Sequence, residues 1–157
     1  MLKMICFDMD GTIADLYGVK GWLKDLHSGN TAPYENADAM WDMDRLAEVL
    51  QIYRNIGVEI RIITWLAKDA DADYKARTRT VKRDWLDEYN FPYDIFHGVR
   101  YGATKADSVR KRLADNETAI LIDDNAKVRK GWHLGETVNP QEVDIISYLY
   151  QLLETMI

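Results

Sequence analysis

Phe7 to Asp15 reads FDMDGTIAD and places two carboxylates, Asp8 and Asp10, two positions apart directly after an apolar run. On an extended segment residues i and i+2 point the same way, so the two acids share one side at the end of the strand that precedes them. Gly11 and Thr12 follow as a tight turn whose backbone N–H groups can face an anion. Two carboxylates at one site can divide the work, one attacking and the other trading protons, provided that cations offset their charge. A second acidic feature is the adjacent pair Asp123 and Asp124. Like charges side by side at a strand end are costly unless a cation neutralises them. His27, His97 and His133 are scattered and read as structural or surface residues, so the available donors are hard carboxylate oxygens. That chemistry suits Mg²⁺ rather than zinc.

These residues need a scaffold that brings them to one edge. Leu2 to Phe7 is a nearly continuous apolar run of the kind buried on both faces of a parallel sheet. Val58 to Thr64 and Thr118 to Ile122 are two more, and Ile95 to Val99 is a weaker fourth. Amphipathic stretches separate them: Asp44 to Asn55, with Leu46, Val49, Leu50 and Tyr53 on one face, then about Asp73 to Tyr89, and Lys105 to Leu113. A last helix is expected over Gln141 to Leu153, with Pro140 at its first turn. Pro33, Pro92 and Pro140 are all expected at breaks between elements. The alternation predicts an α/β fold, a mainly parallel sheet with helices on both faces. Such sheets gather ligands at the C-terminal ends of their strands. Thr64 closes one strand and Asp123 and Asp124 close another, so both belong beside Asp8, while Lys105 follows the weak strand at the start of a helix.

Leu16 to about Trp41 breaks the rhythm with a Gly-, Asn- and Pro-containing insertion, a short helix around Val19 to His27, and the aromatics Tyr17, Trp22, Tyr34 and Trp41. It is too long for an ordinary connection, so it is a small subdomain or a lid over a site. Its aromatics could stack a nucleobase or another flat group, although the small core of an insertion is the more usual role for them. Lys75 to Arg83 (KARTRTVKR) follows an acidic loop, Lys68 to Asp73, and carries five basic residues. On a helix Lys75, Arg79 and Lys82 share a face. A solvated face is the favoured reading, with reception of a polyanion as the alternative.

Composition bounds the rest. At 157 residues the chain is long enough to bury a core without staples, and it reads as a single domain, 1–157, with 16–41 as a small cap-like insertion. Its net charge of −6 argues against capture of nucleic acid or an anionic membrane by bulk charge. One cysteine, Cys6, excludes a disulfide framework and reads as a small buried hydrophobe in the first strand. The N-terminal apolar run stops at Asp8, too short for a signal peptide or a membrane span. A cytoplasmic location and no membrane partner are the expectations.

As an ordered set, FDMDGT at Phe7 to Thr12, IIT at Ile62 to Thr64, Lys105, and LIDD at Leu121 to Asp124 resemble the haloacid-dehalogenase-like (HAD) superfamily of phosphohydrolases, in a nearly capless or small-cap form. The resemblance implies a Rossmann-like three-layer core, with Asp8 as nucleophile and Asp10 as general acid/base. It implies that Thr64 and Lys105 contact the phosphoryl group, beside the Gly11–Thr12 turn. Mg²⁺ would be held by Asp8, the backbone carbonyl of Asp10 and the acidic pair, Asp124 directly and Asp123 from behind or through water. The implied activity is phosphomonoester hydrolysis through an aspartyl-phosphate, on a small phosphorylated metabolite with a nucleoside monophosphate leading. Trp65 and Leu66 depart from the small or polar residues common after the Thr, which narrows access on that side. A phosphatase for nucleic-acid 3′-ends is the alternative, because a nearly capless site beside a basic helix also resembles the phosphatase part of polynucleotide kinase-phosphatases; the acidic overall charge counts against it. A non-catalytic phosphate- or protein-binding module is disfavoured by the presence of both Asp8 and Asp10. A phosphoreceiver domain has a similar inventory, but there the acidic pair precedes the phosphorylated Asp.

Overall fold

Each long apolar run becomes a strand of one parallel sheet. The computed structural model describes residues 1–67 and 70–156. In chain order the elements are β1 (Leu2–Phe7), β2 (Ala14–Asp15), α1 (Trp22–His27), α2 (Ala32–Asn36), β3 (Asp38–Ala39), α3 (Met43–Asn55) and β4 (Glu59–Trp65). They continue with α4 (Ala72–Glu88), β5 (Ile95–Val99), β6 (Thr118–Ile122), α5 (Ala126–Lys130), β7 (Thr137–Val138) and α6 (Ile145–Met156). The five-stranded sheet has the order β5-β4-β1-β6-β7, and every pairing in it is parallel. From the central β1 the chain moves outward through β4 and β5, then returns to the other side of β1 with β6. That reversal opens a crevice at the C-terminal ends of β1 and its neighbours, where a doubly wound sheet places its ligand.

The register explains the apolar runs. Ile5 lies opposite Ile60 and Ile120, and Phe7 opposite Ile62 and Ile122, so one sheet face is a continuous apolar surface. It packs with Leu46, Val49, Leu50 and Tyr53 of α3, Trp85 and Leu86 of α4, and Ile145, Ile146 and Leu149 of α6. The other face presents Met4, Cys6, Ile63 and Leu121 to Ala106, Val109 and Trp132. With both faces covered, a strand has no polar side to alternate toward, which is why these segments are not amphipathic. Cys6 is fully buried, and burial pushes its thiol up to about 12. The expected α/β, Rossmann-like architecture is the observed one.

Several local expectations need correction. Lys105 to Leu113 is not an α-helix but two short 3₁₀ segments, Lys105–Ser108 and Arg110–Arg112. Its buried apolar positions, Ala106 and Val109, are three apart, the period of a 3₁₀ turn. The last helix starts at Ile145 rather than near Gln141, because Asp144 accepts the amides of Ile146 and Ser147 at 3.0 Å and so caps it there. Pro33 sits in the first turn of α2, where a missing N–H costs nothing. Of the acidic loop expected from Lys68 to Asp73, Lys68 and Asp69 lie outside the described residues, and Asp71 caps α4 through the Tyr74 amide at 2.7 Å.

The insertion is closed at its base by the antiparallel β2–β3 pair, Ala14 opposite Ala39 and Asp15 opposite Asp38. Beyond that pair it leans on α4. The Trp85 indole donates to the Ala37 carbonyl at 2.9 Å and Arg77 to that of Gly29 at 3.2 Å. No helix of the described residues is long and apolar enough to cross a membrane.

Candidate active site

Asp8 is the last residue of β1's run that the sheet still holds, its amide donating to the Ile122 carbonyl at 3.0 Å. The chain then folds on itself: the amides of Thr12, Ile13 and Ala14 all donate to the Met9 carbonyl, at 3.1, 2.9 and 3.0 Å, and that of Gly11 to the Ala14 carbonyl at 2.9 Å. The Gly11 and Thr12 amides are therefore spent inside the turn and do not form the expected anion cradle. Gly11 has φ +80°, which favours glycine, and a Cβ there would lie 2.5 Å from Asp124 Oδ2 and 2.8 Å from Tyr17 Cε2, so a larger residue would have to push these side chains aside. The Thr12 hydroxyl lies 3.1 Å from Asp8 Oδ2 and 3.2 Å from Asp124 Oδ1, and its single proton serves one of them at a time. The Trp41 indole donates to the Thr12 carbonyl at 2.7 Å and ties this turn to the end of the insertion.

Lys105 Nζ donates to Asp8 Oδ1 at 2.9 Å and to Asp123 Oδ2 at 2.8 Å, and stands 5.5 Å from the centre of the Trp65 ring. Burial opposes its charge, but the carboxylates of Asp8 and Asp123 outweigh that and hold the ammonium above its ordinary range. Burial and the charge of Asp8 push the carboxyls of Asp123 and Asp124 upward. One oxygen each from Asp8, Asp123 and Asp124 lies within 4.8 Å of the others. Three hard oxygens that repel one another at this spacing fit a divalent cation such as Mg²⁺. Asp123 has both oxygens engaged, by Lys105 and by the Asn125 amide at 2.9 Å, whereas among the described residues Asp124 accepts from the Thr12 hydroxyl alone.

Asp10 has a partner that the sequence reading missed. Lys82 Nζ donates to Asp10 Oδ2 at 2.9 Å, to Thr64 Oγ1 at 2.7 Å and to the Trp65 carbonyl at 3.2 Å, and it lies 4.8 Å from the centre of the Tyr34 ring. At 1% exposure it is no part of a solvated face. The signal was present: Tyr74, Thr78, Lys82 and Trp85 recur every three to four residues as the inward stripe of α4. Burial pushes the Asp10 carboxyl upward against the pull of Lys82. Thr64 is 1% exposed and stands behind Asp10, bonded to Lys82, rather than open to the crevice.

Above these residues is a cavity of about 790 Å³, with Asp8, Asp10, Lys105, Asp123 and Asp124 on its floor. Tyr17, Trp22 and Tyr34 of the insertion line it, with Trp65, Tyr74 and Tyr101 from the core. Tyr17 meets Trp22 edge-on at 5.0 Å, and Trp65 meets Tyr101 at the same distance. His27 also lines the cavity, whereas His97 contacts Arg61 and His133 is exposed.

No family model and no curated protein matches the chain. Solved structures do. Over 88% of this chain it is similar to a chain of the Pnkp1/Rnl/Hen1 RNA repair complex, with a TM-score of 0.59 and 17% identity, and it spans 42% of that chain. It is similar to a HAD-like phosphatase described from Mesorhizobium loti (TM-score 0.54, 9% identity, 87% of this chain and 70% of that one). A third similar structure is the D,D-heptose 1,7-bisphosphate phosphatase of Burkholderia thailandensis (TM-score 0.50, 13% identity, 85% and 74%). The shared feature is architecture: the fold of this chain is like that of these three structures, one of them described as a HAD-like phosphatase.

Proposed function

We propose that the chain is a Mg²⁺-dependent phosphomonoester hydrolase that works through an aspartyl-phosphate on a small phosphorylated metabolite, with a nucleoside monophosphate as the leading substrate. The observation that carries this reading is the meeting of Asp8, Asp10, Lys105, Asp123 and Asp124 on the floor of one aromatic-walled cavity.

In this mechanism a carboxylate oxygen of Asp8 attacks phosphorus, a new O–P bond forms, and the bond to the leaving oxygen breaks. Asp10 gives its proton to that oxygen. Its upward shift by burial suits a group that must hold a proton before the step. In the second half Asp10, now a carboxylate, takes a proton from water as the water oxygen attacks phosphorus. The Asp8–phosphate bond breaks, phosphate leaves, and both acids return to their starting forms. Lys105 offsets negative charge beside Asp8 throughout. Asp8, Asp124 and the Asp10 carbonyl, with Asp123 behind, would hold Mg²⁺, which when bound supplies positive charge opposite the phosphoryl oxygens. The aromatic walls would stack a flat group, each stacked base contributing about 1–3 kcal/mol.

One finding favours a second reading, hydrolysis of a phosphate at a nucleic-acid end: the likeness to a chain of an RNA repair complex, together with exposed Lys127 and Lys130 on α5, just past Asp124. Both readings are tested by measuring phosphate release from nucleoside monophosphates, sugar phosphates and 3′-phosphorylated oligonucleotides, with and without Mg²⁺. Mg²⁺-dependent release from mononucleotides supports the first. A steeply salt-dependent preference for oligonucleotides supports the second. Asp8→Asn should abolish release and Asp10→Asn should lower it by about 10²–10⁴-fold; full activity in purified Asp8→Asn protein would sink the mechanism.

A further inference from the structure

Lys82 is among the largest fully buried side chains of the molecule, and it carries a charge. It comes from the middle of α4, a helix otherwise marked by solvent-facing Lys, Arg and Asp residues, and turns inward between Thr78 and Trp85. An ammonium has three N–H donors and no acceptor. All three of Lys82 are used: on Asp10 Oδ2, on Thr64 Oγ1 and on the Trp65 carbonyl, at 2.9, 2.7 and 3.2 Å. Two of those partners belong to the C-terminal end of β4, so Lys82 is a strut between a rigid strand and the carboxylate of Asp10. Tyr34 covers it from the insertion side, its ring centre 4.8 Å from Nζ. A saturated and covered ammonium has no donor left for a substrate. Asp10, by contrast, lines the cavity.

We infer that Lys82 is a positioning residue for Asp10, holding one carboxylate oxygen against the end of β4 so that the other is presented to the oxygen that leaves. This rests on the proposed phosphatase reading. A general acid acts only within hydrogen-bond reach of the proton's destination, and Asp10, just past the end of β1 in a short turn, has no other cation touching its carboxylate among the described residues. The ammonium also stabilises the carboxylate that remains when the proton has gone, and it is covered from water by Tyr34. Lys105 does the corresponding work for Asp8. The two acids of the motif are thus each held by a different buried lysine, one from the turn after β5 and one from the helix after β4.

The test uses leaving groups, because a misplaced acid hurts most where the departing oxygen needs a proton. kcat/KM is measured for Lys82→Met on p-nitrophenyl phosphate, whose phenolate leaves unaided, and on benzyl phosphate, whose alkoxide does not. The expected result is a loss at least about tenfold greater on benzyl phosphate, within the 10²–10⁴-fold range of acid–base catalysis. In an Asp10→Asn background the same substitution should add little. If Lys82→Met does not fold, Lys82→Leu, which likewise offers Asp10 no donor, is compared in the same way. Equal losses on both esters, or an undiminished effect in the Asp10→Asn background, overturn the inference and leave Lys82 as a buried counter-charge. A wild-type protein that releases phosphate from neither ester and from none of the nucleotides, sugar phosphates and oligonucleotides named above overturns the phosphatase reading instead. A crystal structure of the lysine variant then decides the inference by itself: Asp10 displaced from its wild-type orientation supports it, and Asp10 unmoved overturns it.

Discussion

Lys82 and Lys105 carry the same group and were unequally visible. Lys105 stands alone after a strand, in order with the acidic motifs, and the structure joins it to Asp8 and Asp123. Lys82 lies in a run of five basic residues, where a local reading makes it solvent-facing; only the fold reveals its partner Asp10, 72 positions away. His97 shows the same limit and yields a prediction. Its Nε2 lies 3.1 Å from Nη1 of Arg61, and a guanidinium can only donate, so the ring accepts there and keeps its proton on Nδ1. Burial, then the charges of Arg61 and Arg112, hold the imidazole below its ordinary value. The unfolded chain therefore takes up this proton at a higher pH than the folded one does. The stabilisation from a neutral His97 is complete above the unfolded value, about 6.5, and is lost as pH falls through the lower folded value. His97→Gln, which accepts without titrating, should flatten the fall of Tm between about pH 7 and pH 5 relative to wild type. Parallel Tm curves for the two proteins would show that His97 contributes nothing to the acid limb.

At the scale of elements, the strands were legible because a doubly covered strand must be apolar throughout, and β1, β5 and β6 have the bounds their runs suggested. The pieces that were misread are those whose form depends on a single contact: the 3₁₀ turns set by Ala106 and Val109, and the start of α6 set by the Asp144 cap. The Met9–Ala14 turn lies between these cases. Its glycine was evident, but the second reason for it, the carboxylate of Asp124 lying where a Cβ would be, belongs to the tertiary structure. The two reasons can be separated by experiment. Gly57 has φ +93° with nothing within 4 Å of a built Cβ, so Gly57→Ala meets backbone strain alone. Both Gly57→Ala and Gly11→Ala should lose about 1–2 kcal/mol, or roughly 2–8 °C in Tm for a chain of this size. Only Gly11→Ala should also lose its response to Mg²⁺, because Asp124 must move. A Gly11→Ala protein that binds Mg²⁺ as wild type does would show that Asp124 has room to give.

At the scale of the whole molecule, the sheet edge was foreseeable, whereas of the cavity above it only the insertion's share was. Its walls come from residues far apart in the chain, Tyr17, Trp22 and Tyr34, then Trp65 and Tyr74, and Tyr101, and no periodicity relates them. The net charge of −6 also acquires a location: among the described residues the carboxylates of Asp8, Asp10 and Asp123 are paired with Lys82 and Lys105, and with Asp124 beside them the floor has a formal excess of two negative charges gathered by folding. In the unfolded chain the Asp8–Asp10 and Asp123–Asp124 pairs are far apart, so a divalent cation that bridges the two pairs binds the folded state selectively and stabilises it. At a hundred times its Kd the gain is about 2.7 kcal/mol, which corresponds to a rise in Tm of roughly 5–10 °C for a domain of this length. NaCl at equal ionic strength screens the repulsion without bridging it and should give a much smaller rise. Asp124→Asn removes one of the repelling charges and one of the ligands together, so it should melt higher than wild type in the absence of metal yet gain little from Mg²⁺. If Asp124→Asn gains as much as wild type, the stabilising cation sits away from this floor, and the excess charge there must be met by protonation of the acids themselves.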